Sequence, residues 1–218
     1  FHARRVAIQL IPAWPLDEGN ALLEGYEEAK PVAKAGEFPF GYRAMLACAN
    51  GKPSEAFGPI YSRFDGTGRV ARLPNPPYHF LSRVTRTSCE IGSMSDGMEV
   101  DVEYDIPSNV WYFDENGCRT MPFAVLLEAA LQPCGWLASY MGCALSVEKE
   151  LCFRNLDGTC KWMADILPES GTLLTRVKST RTSRTASMII VSFDVECLIN
   201  DTVVFVMDTV FGFFPEEA

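Results

Sequence analysis

Residues 121–143, MPFAVLLEAALQPCGWLASYMGC, constrain the fold more than any other part of the chain. They hold one charge, Glu128, with Gln132 four residues on and Pro133 directly behind it. A helix that is apolar on nearly every side must be buried on most sides. Glu128 and Gln132 lie one turn apart, so they share a face of that helix. The helix should start near Met121–Pro122, where a proline's missing N–H costs nothing. Pro133 cannot bond back to the Ala129 carbonyl. The segment is long enough to span a bilayer, but a carboxylate near mid-membrane costs about 2.5–3.5 kcal/mol. The flanks, Arg119 and Lys149, are thinly basic, and the neighbouring pattern is that of a sheet. No membrane span is therefore expected.

That pattern begins at Met98, Val100, Val102 and Tyr104, which alternate with Glu99, Asp101, Glu103 and Asp105. Period two with one wet face predicts a strand over 98–106. Further strands are expected over 171–180, 187–198 and 202–214, the last two joined by a tight turn at Asn200–Asp201. An antiparallel sheet wrapped around one central helix buries such a helix. This is an α+β chain with the hot-dog arrangement. Residues 15–41 carry an acidic helical patch between prolines, and 49–80 are rich in Gly and Pro and read as a draped segment. Residues 1–70 are thus expected to be an irregular N-terminal linker or extension, and 71–218 the hot-dog domain. The run GTGRVA lacks the third glycine of a dinucleotide fingerprint.

Charge narrows the partners. The 218 residues carry a net charge of −9 with a pI near 4.8, which excludes nucleic acid as a natural partner. The dense basic run is RVKSTRTSRT, Arg176–Thr185. It reads as a solvated strand end and loop, or as a local patch for an acidic carrier protein. The chain opens on Phe1 and is expected to be a piece of something longer, with no signal peptide at its start. Its eight cysteines form no C-x-x-C pair, and its two histidines, His2 and His79, have no ligand near them in sequence. No metal and no cofactor are expected. Buried free thiols suit a reducing, cytoplasmic setting.

FGPIYSRFDGTGRVARLPNPPYHFLSRV (57–84), the helix LLEAALQPCGW (126–136) and the FGFF ending (211–214) resemble the hot-dog dehydratase regions of polyunsaturated fatty acid synthases. Those large polyketide-type multienzymes have dehydratase segments similar to bacterial 3-hydroxyacyl-carrier-protein dehydratases. The resemblance covers about residues 56–214. It implies a lyase reaction in fatty acid biosynthesis: water is eliminated from a 3-hydroxyacyl thioester tethered to an acyl carrier protein. A histidine takes the α-proton, a carboxylic acid on the central helix of the facing hot-dog helps the hydroxyl leave, and N–H groups at a helix start hold the thioester carbonyl. The family's acidic position falls on Glu128 and its glutamine position on Gln132. Tyr112, Phe113, Met121, Phe123 and Trp136 fall where substrate would be lined, with ordinary core packing the competing role for Trp136 and Tyr140.

Two departures matter. The family has glycine after its Met-Pro pair, where this chain has Phe123. The family histidine lies just before that pair, where this chain reads YFDENGCRTMPF without one. His79 lies elsewhere in the pattern and reads as a packed or surface histidine. Because hot-dog sites form between two hot-dogs, the resemblance implies one half of a pair: this chain brings the acid, and a second hot-dog, adjacent in the parent chain or a dimer mate, brings the histidine. Alone it should be weak or inactive. The alternatives are a non-catalytic hot-dog that completes its neighbour's fold, and a hot-dog thioesterase.

Overall fold

The computed structural model describes residues 23–66, 70–146, 151–185 and 188–215. Residues 1–22 and 67–69 of the N-terminal region, including His2 and the start of the acidic stretch, and residue 187 of an expected strand lie outside the described residues.

Among the described residues, six strands form one antiparallel sheet: β3 (Arg83–Thr87), β4 (Glu99–Asp105), β5 (Leu151–Trp162), β6 (Thr172–Arg184), β7 (Ile189–Ile199) and β8 (Thr202–Pro215). Their order across the sheet is β3-β4-β6-β7-β8-β5, so β3 and β5 are the edges. The helix α4 (Phe123–Tyr140) lies on the inner face against β4, β6 and β7. This is the hot-dog architecture expected from the alternation of the strands and the all-round apolar helix.

The alternation is visible in the packing of β4. Val100, Val102 and Tyr104 point inward and are buried, while Glu99, Asp101, Glu103 and Asp105, which alternate with them, face out. Two of those acids, Glu99 and Asp101, meet the basic run of β6. Arg86, Asp101, Arg176 and Glu196 stand opposite one another across β3, β4, β6 and β7, with Arg86–Asp101 at 3.0 Å and Arg176 within 3.9 Å of Asp101 and 3.8 Å of Glu196. Lys178 lies 3.4 Å from Glu99. Opposite charges placed cross-strand support a sheet, and the first part of the basic run is engaged this way. Between β7 and β8, Asn200 and Asp201 both adopt positive φ, 47° and 62°. That is the primed two-residue turn whose twist matches the strands it joins.

α4 runs unbroken through Pro133. From Ala129 onward nearly every side chain is buried. Trp136 stacks on Tyr140 with ring centroids 5.0 Å apart. Phe123 and Ala124 are exposed, and Leu127, Glu128 and Leu131 are half-buried, so the first half of the helix keeps an open stripe. Among the described residues no helix is long and apolar enough to cross a membrane.

The N-terminal region has more order than its composition suggests. A two-stranded hairpin, β1 (Lys34–Ala35) with β2 (Phe38–Pro39), precedes α1 (Tyr42–Asn50), α2 (Pro53–Phe57) and a 3₁₀ turn at Pro59–Phe64. α1 buries Ala44, Met45, Leu46 and Ala47 in the same core as α4. The acidic stretch is not helical in its described part beyond residue 25. Its Glu28 instead bonds the Tyr42 N–H at 3.1 Å and the buried Arg83 at 2.7 Å, while Lys30 reaches Glu103, Asp105 and Thr172. A carboxylate held by a buried guanidinium, as Glu28 is, cannot also line the wet face of a helix.

Candidate active site

The site is built where the segment 72–80 runs back along α4. Leu73 faces Gly135 at one end, and Tyr78 and Phe80 face Gln132 at the other. Gln132 is buried, 2% exposed, and its amide is fully used. Its Oε1 accepts from the Phe80 N–H at 2.7 Å. Its Nε2 donates to the Tyr78 carbonyl at 2.9 Å and to Glu128 Oε1 at 3.1 Å. A buried amide costs free energy unless it is bonded. Here the bonds also fix the direction of the amide, because only its oxygen can accept from Phe80. The half-buried Glu128 carboxyl is therefore oriented by a group that is itself held by backbone.

Glu128 and Gln132 lie in a cleft of about 340 Å³, with Leu131 and Gly135 further along the same helix face. The opposite wall is Phe153 and Asn155 of β5 with Phe211 of β8, and Arg72, Leu73 and Pro74 close a side. Phe153 stacks on Phe211 with an interplanar angle of 14°. A bulge between Asn155 and Asp157 interrupts the register with β8. Bulges re-aim side chains, and Asn155 is pinned by its 2.6 Å bond to Thr209 Oγ1. Arg72 donates to the Ala47 and Gly51 carbonyls at 3.1 and 2.7 Å, and burial lowers its pKa to about 10. The arrangement is a largely apolar slot with a carboxyl group near one end, able to deliver a proton to, or hydrogen-bond, an oxygen of an elongated ligand.

The other residues expected at the site are spread around it. Tyr112 and Phe113, on α3 (Trp111–Asp114), are buried behind the 77–80 segment. The Tyr112 hydroxyl lies 3.0 Å from that of Tyr104, and its ring packs edge-on against Phe80. Met121 is buried, with its N–H on the Ile166 carbonyl at 2.8 Å. Trp136 is fully buried in the core. Phe123 is 41% exposed at the helix start, beside Trp162 of β5. The cleft thus joins Glu128 to Gln132 but not to these five. Phe153, Phe211, Asn155 and Leu73 are cleft residues that the sequence does not single out. The signals for them are the run 57–84, which includes Leu73, and the aromatic FGFF ending, which includes Phe211.

His79 is buried between Tyr78 and Phe80. Its Nδ1 donates to the Pro74 carbonyl at 3.0 Å, and its Nε2 meets no partner among the described residues. Burial pushes its pKa down to about 4, so it is neutral at neutral pH. It does not line the cleft. A second depression of about 530 Å³ lies over Tyr26, Phe38 and Tyr42, but its acids Glu28 and Glu55 are engaged by Arg83 and by Arg43 and Lys52. No group of three or more His, Cys, Asp or Glu side chains comes together as a metal site among the described residues.

The chain is 28% identical, along its whole length, to a polyunsaturated fatty acid synthase subunit from Thraustochytrium sp. (strain ATCC 26185 / S-3), and spans 14% of that protein. Among solved structures, a mutant of a fluoroacetyl-CoA-specific thioesterase matches at TM-score 0.44 and 11% identity, over 57% of this chain and 90% of that one. A thioesterase from Haemophilus influenzae matches at TM-score 0.40 and 11% identity, over 58% and 78%. The FabA-like domain profile matches residues 73–208, from the segment that faces Gly135 to the middle of β8. A match that takes in the central helix, the clamp on Gln132 and nearly the whole sheet makes this chain a member of the FabA-like domain family.

Proposed function

We propose that this chain is the acid-bearing hot-dog of a 3-hydroxyacyl-carrier-protein dehydratase, the region 71–218 being the hot-dog domain and 1–70 its extension. The observation that carries the reading is the Glu128 carboxyl at an apolar cleft, oriented by a buried glutamine whose other bonds are all to backbone. A histidine of a second hot-dog takes the α-proton of the 3-hydroxyacyl thioester. Electrons flow into the Cα–Cβ bond, the C–O bond at C3 breaks, and Glu128 gives its proton to the leaving hydroxyl. The products are water and a 2-enoyl thioester, and the histidine's proton returns to Glu128 to close the cycle. Developing negative charge on the thioester oxygen meets the N-terminal N–H groups of a central helix. Phe123, in place of the family glycine, restricts backbone approach in this half. An acyl carrier protein delivers the substrate, with exposed Arg181 and Arg184 as the part of the basic run not engaged by cross-strand acids.

The open stripe on the first half of α4 and the exposed edge strand β5 support pairing with a second hot-dog. Phe123, Leu156, Trp162 and Met163, all more than 40% exposed, lie on or next to these two elements. The non-catalytic reading has one observation in its favour: Glu128 already has a partner, Gln132, and could be a structural carboxyl.

The test is Glu128→Gln in this chain joined to the histidine-bearing hot-dog. The substitution keeps size and hydrogen bonding and removes the acidic proton. The rate kcat should fall by about a hundred- to ten-thousand-fold with little change in KM. Near-normal kcat with an unchanged melting temperature would overturn the acid role and favour the non-catalytic hot-dog.

A further inference from the structure

Gly135 sits in the interior of α4, where glycine is a poor choice. It destabilises a helix relative to alanine because it gains nothing from burial and loses more backbone entropy on folding. Two reasons commonly justify such a residue, and neither applies. Its φ is not among the positive values of the chain. A methyl group at this position would not clash: it would meet Leu73 Cδ2 at 3.4 Å and the Phe153 ring at 3.8 Å, ordinary van der Waals contact. What the missing methyl leaves is space, and that space belongs to the cleft holding Glu128. Gly135 lies two turns beyond Glu128, about 10 Å along the helix axis. Leu73 and Phe153 narrow the cleft there.

We propose that Gly135, with Leu73 and Phe153, sets the depth of the cleft and so the length of acyl tail it accepts. This rests on the reading of the cleft as an acyl-thioester site. With the reacting carbons near Glu128, an extended tail of C–C bonds near 1.5 Å spans the distance to Gly135 in about eight carbons. The tail lies against Leu131, Phe153 and Phe211. The glycine keeps the far end open for the terminal carbons, at the expense of helix stability.

The experiment measures binding of butyl, octyl and dodecyl thioethers of N-acetylcysteamine, which have no hydroxyl to lose, to the full chain and to Gly135→Ala. In the wild-type chain affinity should rise from butyl to octyl and gain nothing further at dodecyl. Gly135→Ala should melt at a higher temperature, bind butyl as before, and bind octyl roughly tenfold more weakly, the burial of about two methylenes being lost. Gain of stability together with a length-dependent loss of binding is not what a packing glycine would give. Gly135→Ala binding all three probes as the wild type does would overturn the proposal. So would a wild-type chain that binds none of them or does not discriminate by length. The Glu128→Gln rate is independent of these outcomes, so a failed depth rule and a failed acid role are told apart.

Discussion

Gln132 is the residue on which the site's geometry turns. Its one amide satisfies the Phe80 N–H, the Tyr78 carbonyl and a Glu128 oxygen. Gln132→Leu would keep the bulk but leave a buried N–H and a carbonyl unpaired, at about 1–3 kcal/mol for each such group. Thermal or urea denaturation should show that loss, whereas Glu128→Gln, with its carboxyl only half-buried, should change stability by less than about 1 kcal/mol. Equal stability of Gln132→Leu and wild type would mean that the clamp is not formed. The shared face of Glu128 and Gln132 is legible from their spacing alone. The clamp is not, because its other half comes from a segment some fifty residues earlier. His79 offers a pH test at the same scale. Its folded pKa of about 4 lies below the ordinary 6.5, so between these values the unfolded chain binds a proton that the folded chain refuses. Stability should therefore fall as pH drops from about 6.5 to 4, by at most about 3 kcal/mol, and level off below. His79→Asn keeps a donor for the Pro74 carbonyl and cannot titrate, so its melting temperature should be flatter over that window. An identical pH dependence in the variant would contradict the buried, neutral imidazole.

Among the elements, the strands with period two are the ones a reader of the sequence can see. β4, β7 and the central helix each bury one face or all faces, and burial is what writes a pattern into a sequence. β5 stays hidden for the same reason. After Leu151 and Phe153 its residues are exposed, and an edge strand wet on both faces has no apolar alternation to display. α1 is equally hard to see because YRAMLACAN is a short apolar run beside a Gly- and Pro-rich stretch, and length does not separate helix from strand. Turn chemistry gives the β7–β8 hairpin its register. Asp201, at φ 62°, carries the steric penalty of a side chain in the left-handed region. Asp201→Gly should raise stability by about 0.5–1 kcal/mol, read as a higher melting temperature. A lower melting temperature would show that the Asp201 side chain contributes more than its backbone conformation costs.

For the whole molecule, the described residues leave one end of α4 and one edge of the sheet uncovered, next to a carboxyl group whose cleft is lined by no histidine among them. The measurement that tests the account most directly is the rate of water loss from a 3-hydroxyacyl thioester on its carrier protein, followed by mass, for this chain alone and for the chain joined to a hot-dog that carries a histidine before its Met-Pro pair. A general base contributes about a hundred- to ten-thousand-fold. The chain alone should stay near background and the joined protein should exceed it by that factor. Dehydration by the chain alone at the rate of the joined protein would contradict the division of acid and base between two hot-dogs, and no activity in the joined protein would contradict the dehydratase itself.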